Sequence, residues 1–420
     1  MIPEIVMIAI ALACGLGIAL VVDRRASGAM IVGEALLFGI GICSALLLII
    51  PWSRAAFFAT VALFCLWSAA ACRRFSVEDS GPPLSGQPGA AVFHAITILA
   101  LIGYALFATG GPVWEYDFLV DWGLKARTFW EAHGIDWPLL QSAWQRAVHP
   151  DYPPLLPLAF DAVAIIRGDW SDRWLGILNV AFACALLLIV YRVSVEELRS
   201  QAAAAFITMA IVPFAATPWI GIGEGPFIAY ATAALLLIRI GRTIPGAVML
   251  GLAAFTKNEG LTLIVAVAIA LAATRRWRDL GRLWPAIVIP APWLVMRSVH
   301  HLSTDITAGN VLSRIIEHAL DRDFLLTLIS YPVGKRLFWA GIIAGVALSI
   351  RRLLKEDRFM MIAIILQFGF YILAYLATPH DIGWHIRWSW ERLIAHLTPS
   401  LTFVVLVALL SPVDNRALLY

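Results

Sequence analysis

The stretch "AVFHAITILALIGYALFATGGPVWEYDFLVDWGLKAR", residues 91–127, carries the two features on which the fold turns. As far as residue 109 it holds no Asp, Glu, Lys or Arg, and it is long enough to cross a hydrocarbon core roughly 30 Å thick. From Trp114 to Arg127 the character reverses: Glu115, Asp117, Asp121, Lys125 and Arg127 crowd together just beyond the apolar run. A chain that concentrates its charge immediately after a candidate membrane span invites the question of what that charge is for.

The rest of the chain sets the frame. Of 420 residues, 61% are hydrophobic and 14% charged, and the mean hydropathy is +0.83. Soluble domains carry about 25% charged and 45–50% apolar residues, so a water-soluble fold could not cover itself with this polar surface. Apolar runs recur at 4–22, 29–50, 55–72, 91–109, 172–190, 201–217, 224–240, 243–256, 260–274, 281–297, 334–350, 358–378 and 394–411. The predicted class is an all-α polytopic membrane protein of about 13 spans. Continuous runs exclude a barrel of short alternating strands. The net charge of +3 is spread over loops and gives no nucleic-acid signal. Cys14, Cys43, Cys65, Cys72 and Cys184 lie within or at the ends of apolar runs, which predicts no disulfide framework.

"VEDSGPPLSGQPGA" (77–90) is the best linker, separating N-terminal segments (1–90) from the module 91–420. Arg24–Arg25, Arg73–Arg74, "RRWRD" (275–279) and "RRLLKEDR" (351–358) are expected on the cytoplasmic side of the inner membrane, because cytoplasmic loops collect Lys and Arg. Loops 110–152, 298–330 and 379–393 then fall on the extracytoplasmic face. The parity holds if the proline-led segment 153–167 only dips into the membrane, or if 243–274 crosses once as a broken helix.

Five stretches combine ionisable and aromatic residues. In the first loop Asp117, Asp121 and Lys125 are spaced i, i+4, i+8 and share one face of a helix beside Trp122 and Trp130. An ordinary amphipathic helix with an Asp121–Lys125 pair accounts for the same spacing; a functional site needs a carboxylate near an acceptor group, as general base or metal ligand. "HPDYPPLLPLAF" (149–160) puts His149, Asp151 and Tyr152 on a proline-stiffened entry to the next segment. "GIGEGPFIAY" (221–230) places Glu224 between glycines at a helix start, where the dipole stabilises a carboxylate. "FTKNEGLTL" (255–263) interrupts two apolar halves with Lys257 and Glu259, as a hairpin turn or as a broken helix that binds an anion. "TPHDIGWHIRWSWERL" (378–393) combines His380, Asp381, His385, Arg387 and Arg392 with three tryptophans. An interfacial aromatic belt explains much of it, and arginine is also the natural partner of a phosphate. Neither a His-Glu-x-x-His motif nor a phosphate-binding P-loop occurs.

In this order the five stretches resemble bacterial members of the GT-C glycosyltransferase superfamily, within the group related to dolichyl-phosphate-mannose protein mannosyltransferases and the lipid A aminoarabinose transferase. The likeness runs from about 112 to 400. It implies a GT-C-like fold with juxtamembrane helices in extracytoplasmic loops, and a transferase that uses a polyprenyl-phosphate-linked sugar donor and a lipid, glycan or protein acceptor. It places the first-loop catalytic carboxylate on Asp117, with Trp122 and Lys125 at familiar offsets and Asp121 as an addition. Glu224 fills the second acidic position, usually aspartate. Lys257 and Glu259 match the Lys-x-Glu turn, and His385 and Arg392 match the last-loop pattern.

The chemistry agrees: glycosyl transfer from a polyprenyl phosphate needs a base at the acceptor hydroxyl and cations on the departing phosphate. The expected sets are Asp117, Asp121 and Glu224 as catalytic; Lys257, His385, Arg387 and Arg392 on the donor phosphate; and Trp122, Lys125, His149, Asp151, Tyr152, Glu259, His380 and Asp381 around the substrates. Asp117 is expected to remain free for the acceptor proton while Asp121 pairs with Lys125. No obligatory metal is expected, although a divalent ion is compatible, and the partners include membrane lipids but no nucleic acid. The competing classes are a surface-polysaccharide ligase or polymerase and a secondary transporter.

Overall fold

The computed structural model describes residues 1–24, 26, 28–74, 88–142, 149–302, 306, 309–330 and 336–411; most of the expected linker 77–90 lies outside them. Among the described residues the chain is helical without a β-strand, and one isolated backbone bridge pairs Pro112 with Arg173. The chain opens with α1 (Ile2–Val22), α2 (Ala29–Leu46), α3 (Arg54–Arg74) and α4 (Pro88–Thr109). A π-helical turn (Phe118–Trp122), α5 (Gly123–Ala132), α6 (Trp137–Leu140) and α7 (Leu155–Arg167) follow. Next come α8 (Ile177–Leu198), α9 (Gln201–Ala215), α10 (Glu224–Arg239), α11 (Thr243–Thr256) and α12 (Glu259–Ala273). The short pieces α13 (Trp277–Gly281), α14 (Trp284–Val288) and α15 (Ala291–Val299) lead to α16 (Val311–Leu320) and α17 (Arg322–Ser330). The long helices α18 (Arg336–Glu356), α19 (Arg358–Leu376) and α20 (Ile382–Leu410) close the bundle.

Among the described residues eight helices are long and apolar enough to cross a membrane: α1–α4, α8 and α18–α20, while α9, α11 and α12 are apolar but shorter. The run 281–297 is not one helix. Pro285, Pro290 and Pro292 interrupt it as α14 and α15, since each proline removes a backbone donor and crowds the preceding turn. All five cysteines are free thiols.

The bundle has two distinct ends. At the basic end Arg242, between α10 and α11, bridges Asp23 after α1 (2.7 Å) and Glu196 of α8 (2.9 Å). There too Arg239 pairs with Glu197 (2.8 Å) and Asp357, and Thr243 donates to Asp279 (2.7 Å). The loop end gathers the starts of α1, α3, α8, α10, α12 and α20.

These contacts show the course of the two segments within the bundle. Helix α11 runs up from Arg242 and α12 returns to Arg276, which donates to the Ile238 carbonyl (2.7 Å), so 243–274 is a hairpin. It closes tightly: a Cβ at Gly260 would stand 2.4 Å from the Ala254 backbone. Segment 153–167, as α7, is the one that does not traverse. Its C-terminal Arg167 pairs with Glu4 at the start of α1 (3.1 Å), and Arg54 at the start of α3 caps the Ile166 carbonyl. Its entry, Tyr152, packs against Trp122 at the same end.

Helices α10, α11 and α12 have 16, 14 and 15 residues. At about 1.5 Å per residue they measure roughly 21–24 Å, short of a core roughly 30 Å thick. Arg392, well inside α20, meets Glu224 at the start of α10, so the loop-end termini of these short helices lie below the start of α20.

Candidate functional site

Glu224 opens α10, and Lys257 and Glu259 stand at the α11–α12 turn, so the three short helices deliver these groups to one recessed place. Lys257 Nζ lies 2.8 Å from Glu224 Oε1 and 3.2 Å from Glu259 Oε1, with Lys257 6% and Glu224 3% exposed. Arg392, nearly three turns into α20, reaches down to Glu224 (3.6 Å) and pairs with Asp117. The result is a chain of alternating charge, Asp117–Arg392–Glu224–Lys257–Glu259, drawn from four separate stretches of sequence.

The glycine motif makes this approach possible. A Cβ at Gly223 would meet the Trp122 ring at 2.7 Å and the Lys257 side chain at 3.1 Å. "DFLVDWG" and "GIGEG" therefore interlock, and a side chain at 223 would push the lysine off its carboxylate.

The first loop departs from the expected arrangement. Asp117 and Asp121 do not share a partner, and a π-helical turn follows Asp117, with Gly123 N–H donating to the Phe118 carbonyl. Asp117 faces Arg392 instead of standing free, and it stays 36% exposed. Asp121 is buried against Lys125 (2.5 Å), which also donates to the His149 carbonyl (2.7 Å). Burial drives the Asp121 carboxyl above its ordinary range by more than Lys125 draws it down.

His149, with a left-handed backbone (φ 56), stacks on Tyr152 at 4.6 Å. Tyr152 also packs on Trp122, and Lys257 Nζ lies 5.7 Å from its ring centroid. Burial, and then the Glu259 charge, push the Tyr152 phenol well above its ordinary value, so it keeps its proton. Asp151 is fully buried. Its Oδ2 accepts from Asn258 (2.6 Å) and pairs with Arg297 (3.3 Å), and its carbonyl accepts from the Trp293 indole (3.1 Å).

The last-loop group divides. Arg392 joins the charge chain, whereas His385, seven residues earlier on the same helix, sits roughly 10 Å nearer the loop end. There its Nδ1 lies 2.8 Å from Thr378 Oγ1. Asp381 caps α20 by accepting from the Trp384 N–H (2.8 Å), and the His380 ring lies 5.2 Å from the Trp384 ring. Arg387 is exposed on α20.

Three participants escaped the sequence reading. Arg297 ends the apolar run before the third loop, and Asn258 lies inside the quoted Lys-Asn-Glu turn. His396, one turn below Arg392, is buried with Nδ1 3.2 Å from the Tyr371 hydroxyl. An ionisable side chain inside a candidate span was the available signal for His396.

Three buried carboxylate oxygens around this chain, Glu224 Oε2, Glu259 Oε2 and Asp151 Oδ1, have no hydrogen-bond partner. Among the described residues no three His, Cys, Asp or Glu side chains gather as a metal-binding group. An apolar cavity of about 200 Å³ between α9, α18 and α20 adjoins the site, lined by Phe214, Trp219, Phe338, Trp339 and the two residues before Arg392. Set against known protein families, curated proteins and solved structures, the chain matches none.

Proposed function

We propose that this protein is an integral-membrane glycosyltransferase of GT-C type that moves a sugar from a polyprenyl-phosphate-linked donor to an acceptor hydroxyl. The active site is at the loop end, on the extracytoplasmic face of the inner membrane, and the chain crosses thirteen times: the eight long helices, the shorter α9, α10, α11 and α12, and the broken pair α14–α15. The observation that carries this reading is Arg392. It is 24% exposed, held between Asp117 and Glu224, and next in sequence to two residues that line the apolar cavity. A partly exposed cation held between an accessible carboxylate and a buried one, on the helix whose Trp390 and Ile394 line that cavity, suits a lipid-linked phosphate on one side and a hydroxyl acceptor on the other.

In the proposed reaction the acceptor oxygen attacks the anomeric carbon and the bond from that carbon to the phosphate oxygen breaks. The phosphate leaves with the electron pair. Lys257 and Arg392 neutralise it, because charge develops there as the bond lengthens. When Arg392 turns to the phosphate it releases Asp117, which takes the acceptor proton. The ion pair thus keeps the base masked until donor is bound. Glu224 holds Lys257 and Arg392 together against their mutual repulsion. A secondary transporter would hold its charges near mid-span; here Glu224, Lys257 and Glu259 stand on helix ends, which favours the transferase.

The test uses purified protein in nanodiscs with a short-chain polyprenyl-phosphate sugar. Arg392→Ala should weaken donor binding about 10–100-fold, the worth of a charge-assisted contact. Arg392→Lys should restore it only in part, because lysine lacks the planar fork. Equal donor binding by wild type, Arg392→Ala and Lys257→Ala would overturn the proposal.

A further inference from the structure

At the opposite end of the bundle a second cationic place exists that the transferase reading does not use. The turn from α12 to α13 and the turn from α18 to α19 enclose a cavity of about 580 Å³, lined by Arg275, Arg276, Lys355, Glu356, Arg358 and Phe359. A single water needs roughly 30 Å³, so a multi-atom group fits. Four of these six side chains are cations. Arg276 is committed to Asp279 (2.8 Å) and lies 5.1 Å from the centre of the Phe359 ring. The one acid, Glu356, is turned to Arg352 (3.5 Å). Arg275, Lys355 and Arg358 make no ion pair among the described residues, in contrast to Arg239 and Arg242 nearby, each of which holds two acids.

Two further features point to an anion. Helix α19, 19 residues long, begins at Arg358 on the rim, so the positive end of its dipole is directed at the cavity. Arg275 holds a left-handed backbone (φ 60), a conformation that costs energy for a residue with a side chain and here brings the chain round to the cavity mouth.

The surroundings say which anion. Above the cavity α12 exposes Val265 and Ile269, and α18 exposes Leu348 (81%) and Leu354 (58%). Both helices that bring cations to the mouth thus carry exposed apolar side chains, which fits a molecule with a charged head and hydrocarbon tails better than a free ion.

We propose that this cavity is a binding site for the phosphate headgroup of an anionic phospholipid in the leaflet at the basic end. Arg275, Lys355 and Arg358 bind the phosphate oxygens, Arg276 and Phe359 form the floor, and the acyl chains follow α12 and α18. Basic recesses between membrane helices bind such headgroups, and each lysine or arginine adds to the attraction.

The experiment is native mass spectrometry of purified protein titrated with phosphatidylglycerol, cardiolipin or phosphatidylcholine. Wild type should retain the two anionic lipids and not phosphatidylcholine. The triple variant Arg275→Gln/Lys355→Gln/Arg358→Gln should lose affinity for them about tenfold or more. A control variant, Arg73→Gln/Arg74→Gln/Arg278→Gln, removes the same charge outside the cavity and should bind like wild type. Equal losses in both variants would show attraction to the general field of this end and overturn the site. Competition by glycerol phosphate as strong as that of the lipids would assign the cavity to a soluble anion and overturn the lipid. Hydrogen exchange on wild type avoids any folding defect of the variants. Anionic nanodiscs should protect 274–276 and 355–359 relative to phosphatidylcholine nanodiscs, and identical exchange in both would also overturn the proposal.

Discussion

Both ends of this bundle bury arginine–carboxylate pairs, yet they bury them differently. At the basic end Arg242 is 7% exposed and clamped between Asp23 and Glu196, so three stretches of chain are tied by a cation with little access to anything else. At the loop end Arg392 is 24% exposed and its partner Asp117 is 36% exposed, while carboxylate oxygens deeper in the same network lack partners. The first arrangement is a closed clamp and the second is poised for exchange. The same residue types thus form a closed clamp where the acids enclose the cation, and leave it open to a competing ligand where they do not.

The largest expected effect tests the exchangeable end. Asp117→Asn changes almost no volume and should leave insertion intact while sugar transfer falls about 10²–10⁴-fold, the usual loss on removing a positioned general base. Asp121→Asn should keep substantial transfer and melt at a lower temperature, because it leaves Lys125 buried with only the His149 carbonyl. Transfer and thermal melting measured on the same preparations separate the two. The reverse ranking would move the base to Asp121, and full activity in both would leave the charged stretch a surface helix.

The clamp should behave in the opposite way. Arg242→Ala removes the buried cation that joins Asp23 to Glu196, so unfolding in detergent should be easier by about 3–5 kcal/mol, with transfer per folded molecule unchanged. Lost transfer at unchanged stability would erase the distinction between the two ends. The smallest effect calibrates both. Arg127 and Glu131 pair at 3.0 Å on the exposed side of α5, 61% and 58% exposed, and Arg127→Ala should cost roughly 0.3–0.5 kcal/mol by the same unfolding measurement.

The sequence by itself determined the solvent in which this chain folds. Apolar runs of span length leave no other option, because a backbone in hydrocarbon must satisfy its own hydrogen bonds and helices do so locally. Local patterns also located the groups that the structure gathers into one charge chain. Asp117, Glu224, Lys257, Glu259 and Arg392 were each marked by standing at the edge of an apolar run, where an ionisable group is costly without a purpose. The Asp121–Lys125 pair was legible for the same local reason, since both ends lie on one helical turn. Pairing across the chain was not legible. That Asp117 meets Arg392 is a contact across 275 residues of chain. That 153–167 stays at one end while 243–274 turns back as a hairpin was decided by Arg167 on Glu4 and by Gly260 on Ala254. These contacts are separated by many residues in sequence, so no periodicity encodes them. Hydropathy fixes the environment of each segment, and only tertiary packing selects which charge faces which.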